Sequence, residues 1–219
     1  MKLANLVYEI VKDAIEFPSG FNFDGFIRGD YDEDRDFSSQ ISFAFNYVNL
    51  AFARLYTGQK NILKITKKIS NENGYIEMKE GEVLAVVDGL KPDYEKVSYH
   101  LFMDGIAVEK DYVGKVVYIE YRPVIPHFDM ESIREQTWDE GNEVTYKVID
   151  VDLEQYGINE EMCAYVKEYC KGGLLEYLSP ELSNRHIQMA EAYFSNLKTR
   201  ITEYPIRRIV DRVGSGGAW

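Results

Sequence analysis

Two cysteines in 219 residues, Cys163 and Cys170, are too few for a disulfide framework and suit a reducing compartment. Histidine is scarce as well. His100, His127 and His186 are far apart, so no His-rich ligand cluster is written into the chain. Six prolines exclude a collagen-like or proline-rich disordered class. No apolar run approaches the roughly 20 residues a membrane helix needs; the longest candidate, Ile41 to Tyr56, is interrupted by Ser42, Asn46, Asn49 and Arg54. Met1-Lys2-Leu3 leads directly into an amphipathic pattern, not a signal core, so an intracellular, soluble protein is expected. Positive charge is short too: 25 Lys and Arg against 37 Asp and Glu give a net −12. That balance opposes non-specific nucleic-acid binding, which depends on cations displacing counterions from phosphates. It permits an acidic wall along which a duplex slides.

What the chain does have is 45% apolar and 14% aromatic residues, including 17 tyrosines and 11 phenylalanines, enough for a substantial core. The aromatics have two open readings, a sheet that favours them and a protein–protein surface. Charge is uneven along the chain. Glu131 to Glu161 carries ten acids against Arg134 and Lys147. Arg185 to Val213 reverses the balance, with six Lys and Arg against three acids. Solvated faces explain both segments; so does a basic C-terminal arm directed at an acidic partner.

Periodicity divides the chain into helices, strands and helices. Leu3, Leu6, Val7, Ile10, Val11, Ala14 and Ile15 predict a first helix over 2–16, ended by Pro18. Residues 21–37 are polar and Gly-rich and are expected to form a loop. Ser38 or Ser39 is the expected cap of a second, buried helix running to Tyr56. From Ile62 the pattern becomes short β-branched and aromatic runs, with Asn73-Gly74, Asp88-Gly89 and Asp104-Gly105 as turns. The strands are expected to continue to Val144–Ile149, around an acidic loop from Pro123 to Asn142. Asn159 then caps a helix that begins Glu160-Glu161. Ser179-Pro180-Glu181 starts the last one, with Leu182, His186, Met189, Ala190, Tyr193, Leu197 and Ile201 on its inner side. Gly214 to Trp219 reads as a flexible tail.

The expected class is therefore α+β. An elongated helical bundle (1–61 and 158–213) carries a small β module (62–157) inserted between its second and third main helices, with 214–219 as a tail.

Candidate chemistry is weak everywhere. Asp30-Tyr31-Asp32-Glu33-Asp34-Arg35-Asp36 starts like a calcium loop, but Arg35 occupies the required glycine and Ile41 the closing glutamate. Cys163 and Cys170 are spaced as buried thiols on one helix face, not as a metal pair. Gly214-Ser215-Gly216-Gly217 lacks the preceding strand and following helix of a phosphate loop. No catalytic residue, cofactor or metal is expected.

The layout resembles the head–tail connector (adaptor) proteins of tailed bacteriophages, including the tail tubular A proteins of podoviruses. Asp111-Tyr112-Val113-Gly114-Lys115-Val116-Val117-Tyr118-Ile119-Glu120-Tyr121-Arg122-Pro123 is similar to the strand that closes the family's β module. Ile158-Asn159-Glu160-Glu161-Met162 opens the following helix. Leu178-Ser179-Pro180-Glu181-Leu182 and Met189-Ala190-Glu191-Ala192-Tyr193 resemble its final helix pair. The resemblance implies a non-enzymatic virion protein of the neck, assembled in the host cytoplasm. Its partners would be the portal protein, the tail nozzle or tube, and further copies of itself in a ring, commonly of about twelve. DNA would pass through that ring without sequence-specific binding, and no membrane would be involved. Arg207, Arg208, Arg212 and Trp219 would be the portal-docking arm. The long Pro123 to Asn142 segment departs from the podovirus pattern at the tail side. Two other readings stay open: a ring or stopper protein elsewhere in the neck, and a bacterial binding module or enzyme with a carboxylate site in the acidic loop.

Overall fold

A computed structural model describes residues 1–15, 21–30, 34–89, 95–138 and 144–199. The class is α+β, and the described chain forms two compact units. Residues 1–62 and 125–199 make a helical unit, and residues 63–124 make a β unit.

In the helical unit, α1 (Leu3–Ala14) buries Leu3, Leu6, Val7, Ile10 and Val11 on one face. Its start is tied down where the Leu3 amide donates to the Val151 carbonyl and the Leu153 amide to that of Met1. The stretch expected to be a loop contains a short helix, α2 (Phe23–Arg28), capped by the Asn22 side chain and ended by Gly29 at φ 76°. Phe26 and Ile27 then enter the core, and this apolar pair is why the segment folds. The main helix α3 (Arg35–Thr57) has its cap four residues before Ser38. Asp34 Oδ1 accepts from the Asp36 and Phe37 amides, so the acid takes the capping role expected of Ser38 or Ser39. Ser39 and Ser42 instead donate to carbonyls one turn back.

Helices α4 (Glu160–Leu175) and α5 (Pro180–Asn196) complete the unit. Asn159 caps α4 through the Met162 amide at 2.9 Å, as its sequence predicts. Pro180 opens α5; Ser179 precedes it without a side-chain capping bond. Met162, Cys163, Tyr165, Val166 and Cys170 pack with α1 and α3 in one continuous core.

The β unit holds two antiparallel three-stranded sheets. One has the order β1 (Lys64–Ile69), β6 (Val116–Pro123), β3 (Gly81–Val87); the other has β2 (Tyr75–Glu77), β5 (Gly105–Val108), β4 (Tyr99–Leu101). Val83, Val86, Val117 and Ile119 of the first sheet share a core with Ile76, Ile106 and Val108 of the second. Asp104-Gly105 turns the β4–β5 hairpin in the register Tyr99 opposite Val108. Gly74, at φ 78°, supplies the left-handed residue of the Asn73-Gly74 turn.

The β unit ends at Val124, well before the expected residue 157. Beyond it, β7 (Arg134–Trp138) and β8 (Val144–Val148) pair only with each other among the described residues. Phe128, Ile133 and Tyr146 belong to the helical core, which is why this hairpin goes with the helices. The Pro123–Asn142 segment is thus not simply a loop: it contains a 3-10 turn, Met130–Ser132, and the strand β7.

Candidate functional site

The residues most open to chemistry or binding lie on α3, α4 and α5, and small side chains decide where they point. Gly172 and Gly173 sit side by side on α4. A Cβ at Gly172 would lie 2.5 Å from Ile187 Cδ1, and one at Gly173 would lie 2.4 Å from the Tyr47 ring. One glycine lets α5 approach α4, and its neighbour does the same for α3. On the α5 side Ser183 and Ala190 are small and buried, and Ser183 Oγ donates to the Gly172 carbonyl at 2.8 Å.

This close fit rotates α5 away from the expected orientation. Ala190 and Leu197 are buried as predicted, but Leu182 (46% exposed), Met189 and Tyr193 lie toward solvent. Together with His186 they form one stripe, at spacings of four, three and four. Tyr177 (89% exposed) and Leu178 extend the apolar surface at the α4–α5 turn. Ile201 falls outside the described residues.

Polar groups fix both flanks of α5. On one, Arg54 of α3 makes a two-pronged pair with Glu191 at 2.6 and 2.9 Å and stacks over Phe194 at 4.7 Å. The Glu191 carboxylate raises the Arg54 guanidinium further above its usual range. On the other flank, His186 Nδ1 lies 2.7 Å from Glu168, which reaches Lys171 at 3.7 Å, and Lys171 meets Asp13 of α1 at 2.7 Å. The Leu182–Met189–Tyr193 stripe lies on this second flank, away from α3. A separate apolar pair, Phe43 and Leu50, is exposed on α3 itself. At the end of α3, Lys60 is buried, donates to the Leu197 carbonyl at 3.1 Å and sits over the Phe194 ring at 4.4 Å. Sequence periodicity gives no sign of this lysine, because its partners are 137 residues away.

No protein-family model matches the chain, and no curated protein shows a significant match to it.

The other candidate residues are dispersed and have local roles. Asp30 pairs with Arg28 at 2.8 Å, and Asp34 caps α3; residues 31–33 of the acidic run lie outside the described residues. Asp129 accepts from the Ser132 amide and hydroxyl in a capping box. Asn49 holds the adjacent Phe128 through both backbone groups, at 2.7 and 2.9 Å, and its amide reaches His127 Nε2 at 3.3 Å. His100 lies in β4. Cys163 and Cys170 are buried, and burial pushes the Cys163 thiol up to about 11 and the Cys170 thiol well above its usual value. Both are protonated at neutral pH and therefore poor ligands and nucleophiles. Among the described residues no group of three His, Cys, Asp or Glu is placed to hold a metal ion, and no helix is long and apolar enough to cross a membrane. Arg207, Arg208, Arg212 and Trp219 lie outside the described residues.

Proposed function

We propose that this protein is a structural connector of a tailed-phage virion, a ring-forming adaptor that docks on the portal and joins it to the tail around the DNA channel. The observation that carries this reading is the outward apolar stripe of α5. Leu182, Met189 and Tyr193 face solvent on one flank of a helix whose inner side is closely packed. Apolar surface left in this way on a well-packed unit marks a protein–protein contact. Phe43 and Leu50 lie on a different helix, and a ring needs two unlike surfaces per subunit, since each copy meets its neighbours through different faces. The net charge of −12 suits a wall beside a passing duplex, which an acidic surface repels rather than grips. The order of a helical unit interrupted by a β unit agrees with the resemblance to the adaptor family, and Arg207, Arg208, Arg212 and Trp219 are the proposed docking arm. A virion location and a ring of about twelve copies belong to the same reading. It assigns no catalytic step.

The test is to mix the purified chain with the portal protein encoded by the same virus, then analyse the mixture by size-exclusion with light scattering and by electron microscopy. A ring of many copies seated on the portal is the expected result. Absence of portal binding, together with absence of the chain from purified particles by mass spectrometry, overturns the proposal. A stopper elsewhere in the neck would be present in particles but would fail to bind isolated portal.

A further inference from the structure

Helix α3 carries a stripe that repeats the spacing of the one on α5. Phe43, Tyr47, Leu50 and Arg54 follow one another at four, three and four residues, as do Leu182, His186, Met189 and Tyr193, so each set runs along one side of its helix. Phe43 and Leu50 are 56% and 53% exposed. Tyr47 and Arg54 form the inner edge of the α3 stripe: the Tyr47 ring packs against Gly173 and Tyr169 of α4, and Arg54 holds Glu191. The α5 stripe lies on the flank of α5 away from α3. One copy thus presents two apolar stripes in different directions and cannot cover either with the other.

The two stripes are also level. Arg54 pairs with Glu191, Gly58 faces Phe194 and Lys60 reaches Leu197, so α3 and α5 run in the same direction, and a residue of α3 lies beside the α5 residue 137 positions on. Phe43 is then level with Pro180 and Leu50 with Ile187. Leu182 and Met189 stand two residues farther, about 3 Å along the axis. Charge distinguishes the stripes. Arg185 lies between Leu182 and Met189, and Glu176, exposed and one turn beyond Gly173, is the carboxylate that, after burial, raises the Tyr47 phenol. Neither Arg185 nor Glu176 has an ion-pair partner among the described residues, whereas Arg54 with Glu191 and His186 with Glu168 are paired within the copy. Two α5 stripes paired Leu182 to Met189 would crowd their Arg185 groups, and two α3 stripes paired Phe43 to Leu50 would crowd their Glu176 groups. Only the unlike pairing brings opposite charges together.

We propose that the α5 stripe of one copy packs in parallel on the α3 stripe of the next, Leu182 on Phe43, His186 on Tyr47, Met189 on Leu50 and Tyr193 on Arg54, with the Arg185 guanidinium meeting the Glu176 carboxylate. Glu181, at the start of α5, comes level with Ser42. Because the stripes are level and their helices run in one direction, neighbouring copies are related by a rotation with little rise, which closes a ring and does not wind a filament. This names the subunit contact of the adaptor reading and rests on that reading for the ring; the pairing itself rests on spacing, level and charge.

The test mixes two full-length chains, one carrying Leu50→Cys and the other Met189→Cys, in equal amounts at about 0.5 mM protein, and oxidises them mildly. Both positions are exposed, and the native Cys163 and Cys170 are buried. Mass spectrometry is expected to find disulfides joining the two kinds of chain at about ten times the yield of self-links in either chain alone. Arg185→Glu in the Met189→Cys chain, or Glu176→Arg in the Leu50→Cys chain, should lower that yield about tenfold, and the two charge changes together should restore it. Self-links that match the mixed link, no mixed link, or no restoration overturns the proposal; circular dichroism confirms that each variant is folded. Mixed links without portal binding would count against the connector reading alone. Portal-bound rings without the mixed link would count against the stripe contact alone.

Discussion

Gly172 is the residue on which the α4–α5 packing turns, and its substitution should show a change of sign. In the native protein Gly172→Ala drives a methyl into Ile187, at a cost of about 1–3 kcal/mol for overpacking. With Ile187→Ala the two closest contacts, to Cδ1 at 2.5 Å and Cγ1 at 2.7 Å, are gone, and only the backbone nitrogen at 3.3 Å is left to give way. The same Gly172→Ala change should then stabilise by about 1 kcal/mol through helix propensity. Urea midpoints of the four proteins in this cycle provide the check, and additive effects would be inconsistent with the close approach. The buried thiols give a second residue-scale prediction. Cys163 ionises near 9.0 when unfolded and at about 11 in the folded protein, so its burial contributes stability below pH 9 that is lost as pH rises from about 9 to about 11. Cys163→Ala should flatten that part of the pH–stability curve. Both thiols should resist alkylation at pH 8 until the chain is denatured.

At the scale of elements, features governed by neighbouring residues were legible in the sequence. Asn159 caps α4, Asp104-Gly105 turns a hairpin and Asn73-Gly74 supplies a positive φ, because each depends on a few adjacent residues. The start of α3 was less so, since Asp34 and Ser38 both suit a cap and position alone does not choose between them. The orientation of α5 was not legible. Its apolar periodicity selects the Leu182–Met189–Tyr193 side, whereas packing selects the side of Ser183, Ile187 and Ala190, because the bare Gly172 leaves room for Ile187 and its carbonyl accepts from Ser183. A pair of glycines in the last turn of α4, followed by small residues at helical spacing in α5, was the available signal. This difference also has a consequence for stability. Replacing Leu182, Met189 and Tyr193 together by Gln should leave stability nearly unchanged, each exposed site falling within about 0.5 kcal/mol. Ala190→Leu on the packed side should cost about 1–3 kcal/mol. Denaturant titration of the two variants separates these orientations; large destabilisation by the triple substitution would restore the periodicity-based face.

For the whole molecule, the division of chain between units was legible only where composition changes. The shift to β-branched runs after Ile62 marks the start of the β unit, whereas β8 has the same alternating character as the β-unit strands and goes with the helices through Tyr146 and Phe128. The basic C-terminal segment is the whole-molecule feature that bears most directly on the connector proposal. Residues 206–219 contribute Arg207, Arg208 and Arg212 against Asp211, a net positive arm on a chain of net −12, and they end in Trp219. An arm of this composition suits an acidic partner surface with a pocket for one aromatic ring. The helical core draws on residues up to Leu197, so deleting 206–219 should leave the circular dichroism and unfolding midpoint essentially unchanged. The same deletion should abolish portal binding. Substituting the three arginines by Gln should weaken binding and reduce its salt dependence, since the steering charge is gone, while Trp219→Ala should weaken it at all salt concentrations. Portal binding that survives the deletion would remove the arm from the docking role and turn attention to the exposed side chains of α5.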